Sequence, residues 1–214
     1  MTTFAQSERA ALADLLADRG PHAPTLCAGW DTSDLAAHLL IRERNPPLAF
    51  GAVLPPLARF TDRAIARKAR REPYPELVAR LRAGPPRWSP MGWTASLDTA
   101  ANAVEFFVHH EDVRRGEGSD AAPRTLDPAA EEFLWRRLGR MARLLMRKAP
   151  GGVTLRRQGG GDSIVVKRGS PLVVVTGVPS ELALFAFGRQ RAAVVSASGA
   201  DDAITALREA RLGF

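Results

Sequence analysis

From Phe4 to about Lys148 the apolar residues of this 214-residue chain recur at helical spacing; beyond Val153 they fall into short β-branched runs divided by glycine. Side chains that share a helix face are three or four apart, and those that share a sheet face are two apart, so one uniform architecture does not accommodate both patterns. The pattern predicts an all-α N-terminal bundle over 1–120, joined to a small α+β domain over 121–214. Gly116-Glu-Gly-Ser-Asp-Ala-Ala-Pro123 is the best linker. Charge divides in the same place. Residues 1–118 hold 15 basic and 14 acidic side chains, whereas residues 119–214 hold 15 and 9.

Within the first region, helices are expected over 4–18, with Thr2 or Thr3 as cap and Gly20-Pro21 as stop, and from Asp31 to before Asn45. Residues 48–60, with Pro55-Pro56 inside, predict a loop or broken helix. Helices follow over Asp62–Arg71, Tyr74–Arg82 and about Ser96–Arg115. Asp127-Pro128 opens a helix to about Lys148. Short strands are expected at 153–156, 163–167, 172–176 and 192–197, with helices at 180–187 and 200–211.

Composition narrows the function. Cys27 is the single cysteine, which excludes an internal disulfide and a multi-cysteine zinc site. No apolar run reaches the ~18–20 residues that span a bilayer, and the N-terminus lacks the pattern of a signal peptide, so a cytoplasmic protein is expected. The net charge of +7 is almost all arginine, a bias typical of a GC-rich genome.

Four histidines are present: His22, His38, His109 and His110. Glu105 and His109 are four apart on an expected helix and leave the same face. His38 lies two turns into another helix, on a stripe with Leu35 and Leu39 that should face the core. Two imidazoles and one carboxylate from facing helices form a three-ligand set suited to zinc or a similar dication, leaving a fourth position for water or substrate. Asp98, Asn102, Glu105, His109 and Asp112 form one polar stripe, either solvated or built around something. Asp34, a turn before His38, and Asn102, a turn before Glu105, are placed to orient the ligands. By spacing alone the set is weak, since Glu and His at i, i+4 occur by chance on exposed helices.

Gly29-Trp-Asp-Thr-Ser-Asp-Leu-Ala-Ala-His38-Leu, with Asn102-Ala-Val-Glu105-Phe-Phe-Val-His109-His-Glu-Asp112, resembles the actinobacterial mycothiol-dependent maleylpyruvate isomerase metal-binding family, a branch of the DinB-like four-helix bundles. Val175-Thr-Gly-Val-Pro-Ser-Glu-Leu-Ala-Leu-Phe-Ala-Phe-Gly-Arg189 resembles that family's C-terminal α+β domain. The resemblance spans nearly the whole chain. It implies metal ligands at His38, Glu105 and His109, a divalent metal (zinc, with nickel or iron as alternatives), and mycothiol as a thiol cosubstrate. Coordination to a dication deprotonates a thiol, which could then attack an electrophilic carbon for S-transfer or isomerisation; the metal could instead activate water. Arg189 is a candidate clamp for a substrate or thiol carboxylate, against the alternative of a solvated surface residue.

Cys27 is expected to pack rather than react, and His22 to sit in a loop. Trp88 and Trp93 are expected to anchor a loop. His110 points ~100° away from His109 on the helix. The reading that results is a metal-dependent enzyme acting on a small molecule and a thiol, with no membrane partner and with homo-oligomerisation left open. Its alternatives are a non-catalytic metal-stabilised binding protein and a nucleic-acid or anion-binding module using the arginine face of 136–148. That face lacks interleaved aromatics and any nucleic-acid motif.

Overall fold

A computed structural model describes residues 2–44, 55–86, 88–89, 95–116 and 120–213, with side chains from 59 onward in the second stretch and from 102 onward in the fourth. The chain divides into two compact units, Met1–Ala121 and Ala122–Phe214.

In the first unit, α1 (Phe4–Arg19) opens on a capping box: Gln6 N donates to Thr3 Oγ1, and Thr3 N donates back to Gln6 Oε1. Gly20, at φ 75°, ends it. Helix α2 (Thr32–Arg44) is capped by Asp31, whose Oδ1 accepts from Ser33 N and Asp34 N at 2.9 and 3.0 Å. Helix α3 runs Pro55–Arg71, α4 Tyr74–Ala83 and α5 Ala95–Arg114. The proline pair expected to break a helix instead starts α3, because the first turn has no use for the N–H that proline lacks. Residues 48–54 of that expected loop, and Trp93, lie outside the described residues. Trp88 is 65% exposed and does not anchor anything in the core.

The core of this unit joins Leu12 and Leu16 of α1, Leu35, Leu39 and Leu40 of α2, Leu77 and Leu81 of α4, and Phe106 and Val113 of α5. Ile65 of α3 packs against Ala37 and Ile41 of α2. Almost the whole circumference of α5 beyond Asn102 is buried, polar positions included. That burial decides between the two readings of its polar stripe: from Asn102 to Asp112 the stripe is enclosed rather than solvated. The side chain of Asp98 lies outside the described residues.

The second unit begins with α6 (Pro128–Leu145), where Asp127 Oδ1 accepts from Ala130 N at 2.8 Å. The helix stops a turn before the expected Lys148. Four strands follow, β1 (Gly152–Arg157), β2 (Ser163–Lys167), β3 (Leu172–Gly177) and β4 (Ser196–Ser198), in sheet order β2-β1-β3-β4. Strand β1 pairs antiparallel with β2 and parallel with β3, and β3 pairs antiparallel with β4. Val153, Leu155, Val173 and Val175 supply one fully buried face. Helices α7 (Pro179–Ala186) and α8 (Asp201–Glu209) complete the unit.

Strand β4 is shorter than the expected 192–197. Ala192 and Ala193 donate to Arg189 O in a turn, and Val194 N donates to Glu181 Oε2 at 2.7 Å, so these backbone groups are committed elsewhere. On α6, Arg136 pairs with Glu132 at 2.8 Å and Arg137 stacks over Phe133, so part of the arginine face is satisfied within the unit. No helix among the described residues is long and apolar enough to cross a membrane.

Candidate metal centre

The site is assembled where α2 and α5 meet the loop between α1 and α2. That loop is pinned at several points. Thr32 Oγ1 donates to Gly20 O, Thr25 Oγ1 to Trp30 O at 2.9 Å, and Leu26 N to Asp112 O at 3.1 Å. At the end of α5 the backbone of Pro24 comes so close that a Cβ on residue 116 would meet its carbonyl oxygen at 2.1 Å, which only Gly116 avoids. Trp30 is thereby set beside His38, with ring centroids 5.0 Å apart. His22, by contrast, is an exposed loop residue whose Nδ1 lies 3.2 Å from Asp31 Oδ2.

His38, Glu105 and His109 each offer one donor atom, and these atoms lie within 4.8 Å of one another. The two imidazole rings are 5.3 Å apart and nearly edge-on. His109 Nε2 is 3.5 Å from Glu105 Oε2. On the other side of the ring, His109 Nδ1 is 2.8 Å from Asp112 Oδ2, a fully buried carboxylate oxygen that also accepts from Cys27 Sγ at 3.2 Å. An ionised carboxylate can only accept, so Nδ1 carries the proton and Nε2 faces Glu105. This is the usual arrangement behind a metal-ligating histidine, in which a carboxylate fixes the tautomer.

Cys27, His109 and Asp112 form a second, overlapping group within the same distance. Using it would require His109 Nδ1, the atom already committed to Asp112, so the donor chemistry favours the group built on Nε2. Cys27 was expected only to pack; its thiol in fact contacts Asp112 and lies 3.9 Å from His109 Nδ1. The contact joins residues 82 and 85 positions apart, through a loop whose path no local spacing encodes.

Arg42 was not anticipated either. It follows His38 by four residues on α2, and its Nη1 donates to Asn102 Oδ1 at 2.5 Å while Nη2 stands 3.5 Å from Glu105 Oε1. Asn102 therefore reaches Glu105 through Arg42. Asp34 sits in the first turn of α2, where burial and the nearby Asp31 charge raise its carboxyl above the usual range. His110 faces away, its Nδ1 3.1 Å from the buried Glu8 Oε2 of α1. Arg189 belongs to the second unit, and its Nη1 donates to Phe187 O at 2.6 Å.

Charge at the centre follows from these neighbours. Burial opposes ionisation of Glu105, but Arg42, the hydrogen bond and charge of His109, and His38 outweigh it and hold the carboxyl well below its usual range. Burial also opposes charging of His109, yet its bonding to Asp112, Cys27 and Glu105 raises it well above the ordinary histidine value. Without a metal, these neighbours favour an anionic Glu105 beside a charged His109. A divalent ion would take the place of the proton that charges it, a substitution that two imidazoles and one carboxylate suit.

A mostly helical N-terminal part followed by a small α+β part is consistent with a DinB-like fold. Two solved structures share it. The mycothiol-dependent maleylpyruvate isomerase superposes with a TM-score of 0.62 at 19% identity, covering 92% of this chain and 91% of that one. A histidine-to-alanine variant of that isomerase superposes at 0.58, also 19% identical, with 91% and 88% covered. No family model and no curated protein matches the sequence. At this identity the likeness establishes the fold.

Proposed function

We propose that this chain is a metal-dependent enzyme that uses a thiol cosubstrate, mycothiol or a close analogue, for S-transfer or isomerisation of a small electrophilic substrate. The observation that carries the reading is the convergence of His38, Glu105 and His109 with His109 Nδ1 committed to buried Asp112. The fold shared with a mycothiol-dependent isomerase supports it. The same three residues would hold the ion, for which zinc fits the donor set and nickel or iron are alternatives.

When bound, the ion supplies Lewis acidity that makes a thiol or water acidic near neutral pH. The protein's own residues prepare for that. Asp112 holds the His109 ring and its tautomer, so Nε2 points inward without reorganisation. Trp30 packs against His38 and limits its rotation. Arg42 and His109 keep Glu105 ionised, so loading displaces the His109 proton and none from Glu105. Arg189 is the candidate carboxylate clamp of the second unit, and Asp34 a candidate for orienting His38.

The reading is tested by incubating zinc-loaded protein with mycothiol and electrophilic acceptors such as unsaturated keto acids, following thiol consumption and acceptor isomerisation. Turnover that is abolished in His38→Ala and needs the thiol supports it. Zinc uptake without turnover on any thiol and acceptor would leave a metal-stabilised protein without this chemistry.

A further inference from the structure

Arg42 and His109 approach different oxygens of the Glu105 carboxylate. Oε2 faces the imidazole of His109 at 3.5 Å, while Oε1 faces the guanidinium of Arg42 at 3.5 Å. Arg42 leaves the same face of α2 as His38, one turn later. It is tethered across to α5 by the 2.5 Å bond from Nη1 to Asn102 Oδ1, and Asn102 is itself buried three residues before Glu105. That tether is to a neutral amide, so it fixes the guanidinium without cancelling its charge. The Arg42 side chain is 22% exposed and Glu105 16%, so solvent screens the pair only in part.

We propose that Arg42, held by Asn102, acts on the metal centre through Glu105: its fixed positive charge shares the carboxylate and so keeps the divalent ion loosely held and exchangeable. This rests on His38, Glu105 and His109 being the ligands. A carboxylate shared between a guanidinium and a dication is a weaker donor to each, and the two cations repel across it. An arginine that served only to brace α2 against α5 would act in the opposite sense, because its loss would loosen Glu105 and weaken metal binding. The sign of the change therefore separates the two roles.

The test is zinc affinity of the metal-free full chain, measured by competition with a chromophoric chelator, for wild type, Arg42→Gln and Arg42→Lys. Arg42→Gln should bind zinc on the order of tenfold more tightly and release it more slowly, since a nearby unit charge is removed. Arg42→Lys, which keeps the charge, should return the affinity to within a few-fold of wild type. Affinity that is unchanged or weaker in Arg42→Gln overturns the proposal. Should Arg42→Gln fail to fold, Asn102→Asp offsets the guanidinium charge without removing it and should also tighten binding; unchanged or weaker binding there overturns the proposal equally. Wild-type protein that takes up no zinc removes the ligand assignment, and the role of Arg42 with it. Wild-type uptake without the tightening removes the role of Arg42 alone.

Discussion

His109 and His110 are adjacent in sequence, share a helix and are both buried, yet they sit in different chemical surroundings. His110 meets one acid, Glu8 of α1, at 3.1 Å. Next to His110 on α5, Glu111 is paired with Arg114 and with Arg115 just past the helix end, at 3.0 and 2.6 Å. This side of α5 reads as buried polar groups met by hydrogen-bonding partners, the condition for tolerating them in a core. His109 instead meets two carboxylates, a thiol and a second imidazole, with donor atoms converging from α2, α5 and the loop before α2. A buried histidine is thus not in itself a sign of a site. What marks one is an excess of donors over what pairing requires, together with a carboxylate that commits one ring nitrogen and leaves the other directed inward.

Substitution at the two positions should give the widest separation. His109→Ala should weaken zinc binding beyond the ~100-fold upper range typical of losing an outer partner, whereas His110→Ala should leave it unchanged, both read by chelator competition. Comparable losses from the two would erase the distinction. Asp112→Ala comes next. Removing the carboxylate that fixes the His109 tautomer should cost about 10–100-fold in zinc affinity while one equivalent still binds at saturation. If Asp112→Ala eliminates binding altogether, Asp112 is a ligand, and the group with Cys27 replaces the one with His38.

Stability isolates the His110 contact. His110→Ala removes a buried partner of the Glu8 carboxylate and should lower unfolding free energy by about 1–3 kcal/mol in urea titrations of metal-free protein. Double substitution with Glu8→Gln should recover part of that loss, because the residual partner no longer carries a charge.

The smallest expected effect is on pH dependence. In metal-free protein the native His109 value lies above the ordinary 6.5, so its charged form contributes stability that is complete below about pH 6.5 and is lost as pH rises through the raised native value. Metal-free wild type should accordingly lose stability across that interval relative to His109→Gln. Zinc affinity should move the other way, rising with pH until His109 no longer carries the competing proton. A wild-type stability profile parallel to that of His109→Gln would show that the Asp112 contact does not hold a charged imidazole.

Much of the fold could be read from the sequence because it depends on local pattern. Asp31 and Asp127 cap the helices that their positions predict, Thr3 rather than Thr2 caps the first, and the change of period near residue 150 coincides with the start of the sheet. The fold departs from local pattern where a non-local partner decides. Residues 192–194 have strand composition, but their amides go to Arg189 and Glu181. At the site, helical spacing put Glu105 and His109 on one face, and the burial of α5 brings that face to His38. Arg42 carried a visible signal, lying one turn from His38, but an arginine among 27 gives no hint of a buried amide waiting for it. The Cys27–Asp112 contact had none, since it depends on the close approach of Pro24 to Gly116.

The most direct measurement is elemental analysis of tag-free protein beside a His38→Ala, His109→Ala double variant, followed by zinc titration of both after chelation. The account predicts about one equivalent of a divalent metal in the wild type, restored by titration, and none in the variant. A wild type that carries no metal and takes none up, or a variant that keeps it, would contradict a metal centre at these residues.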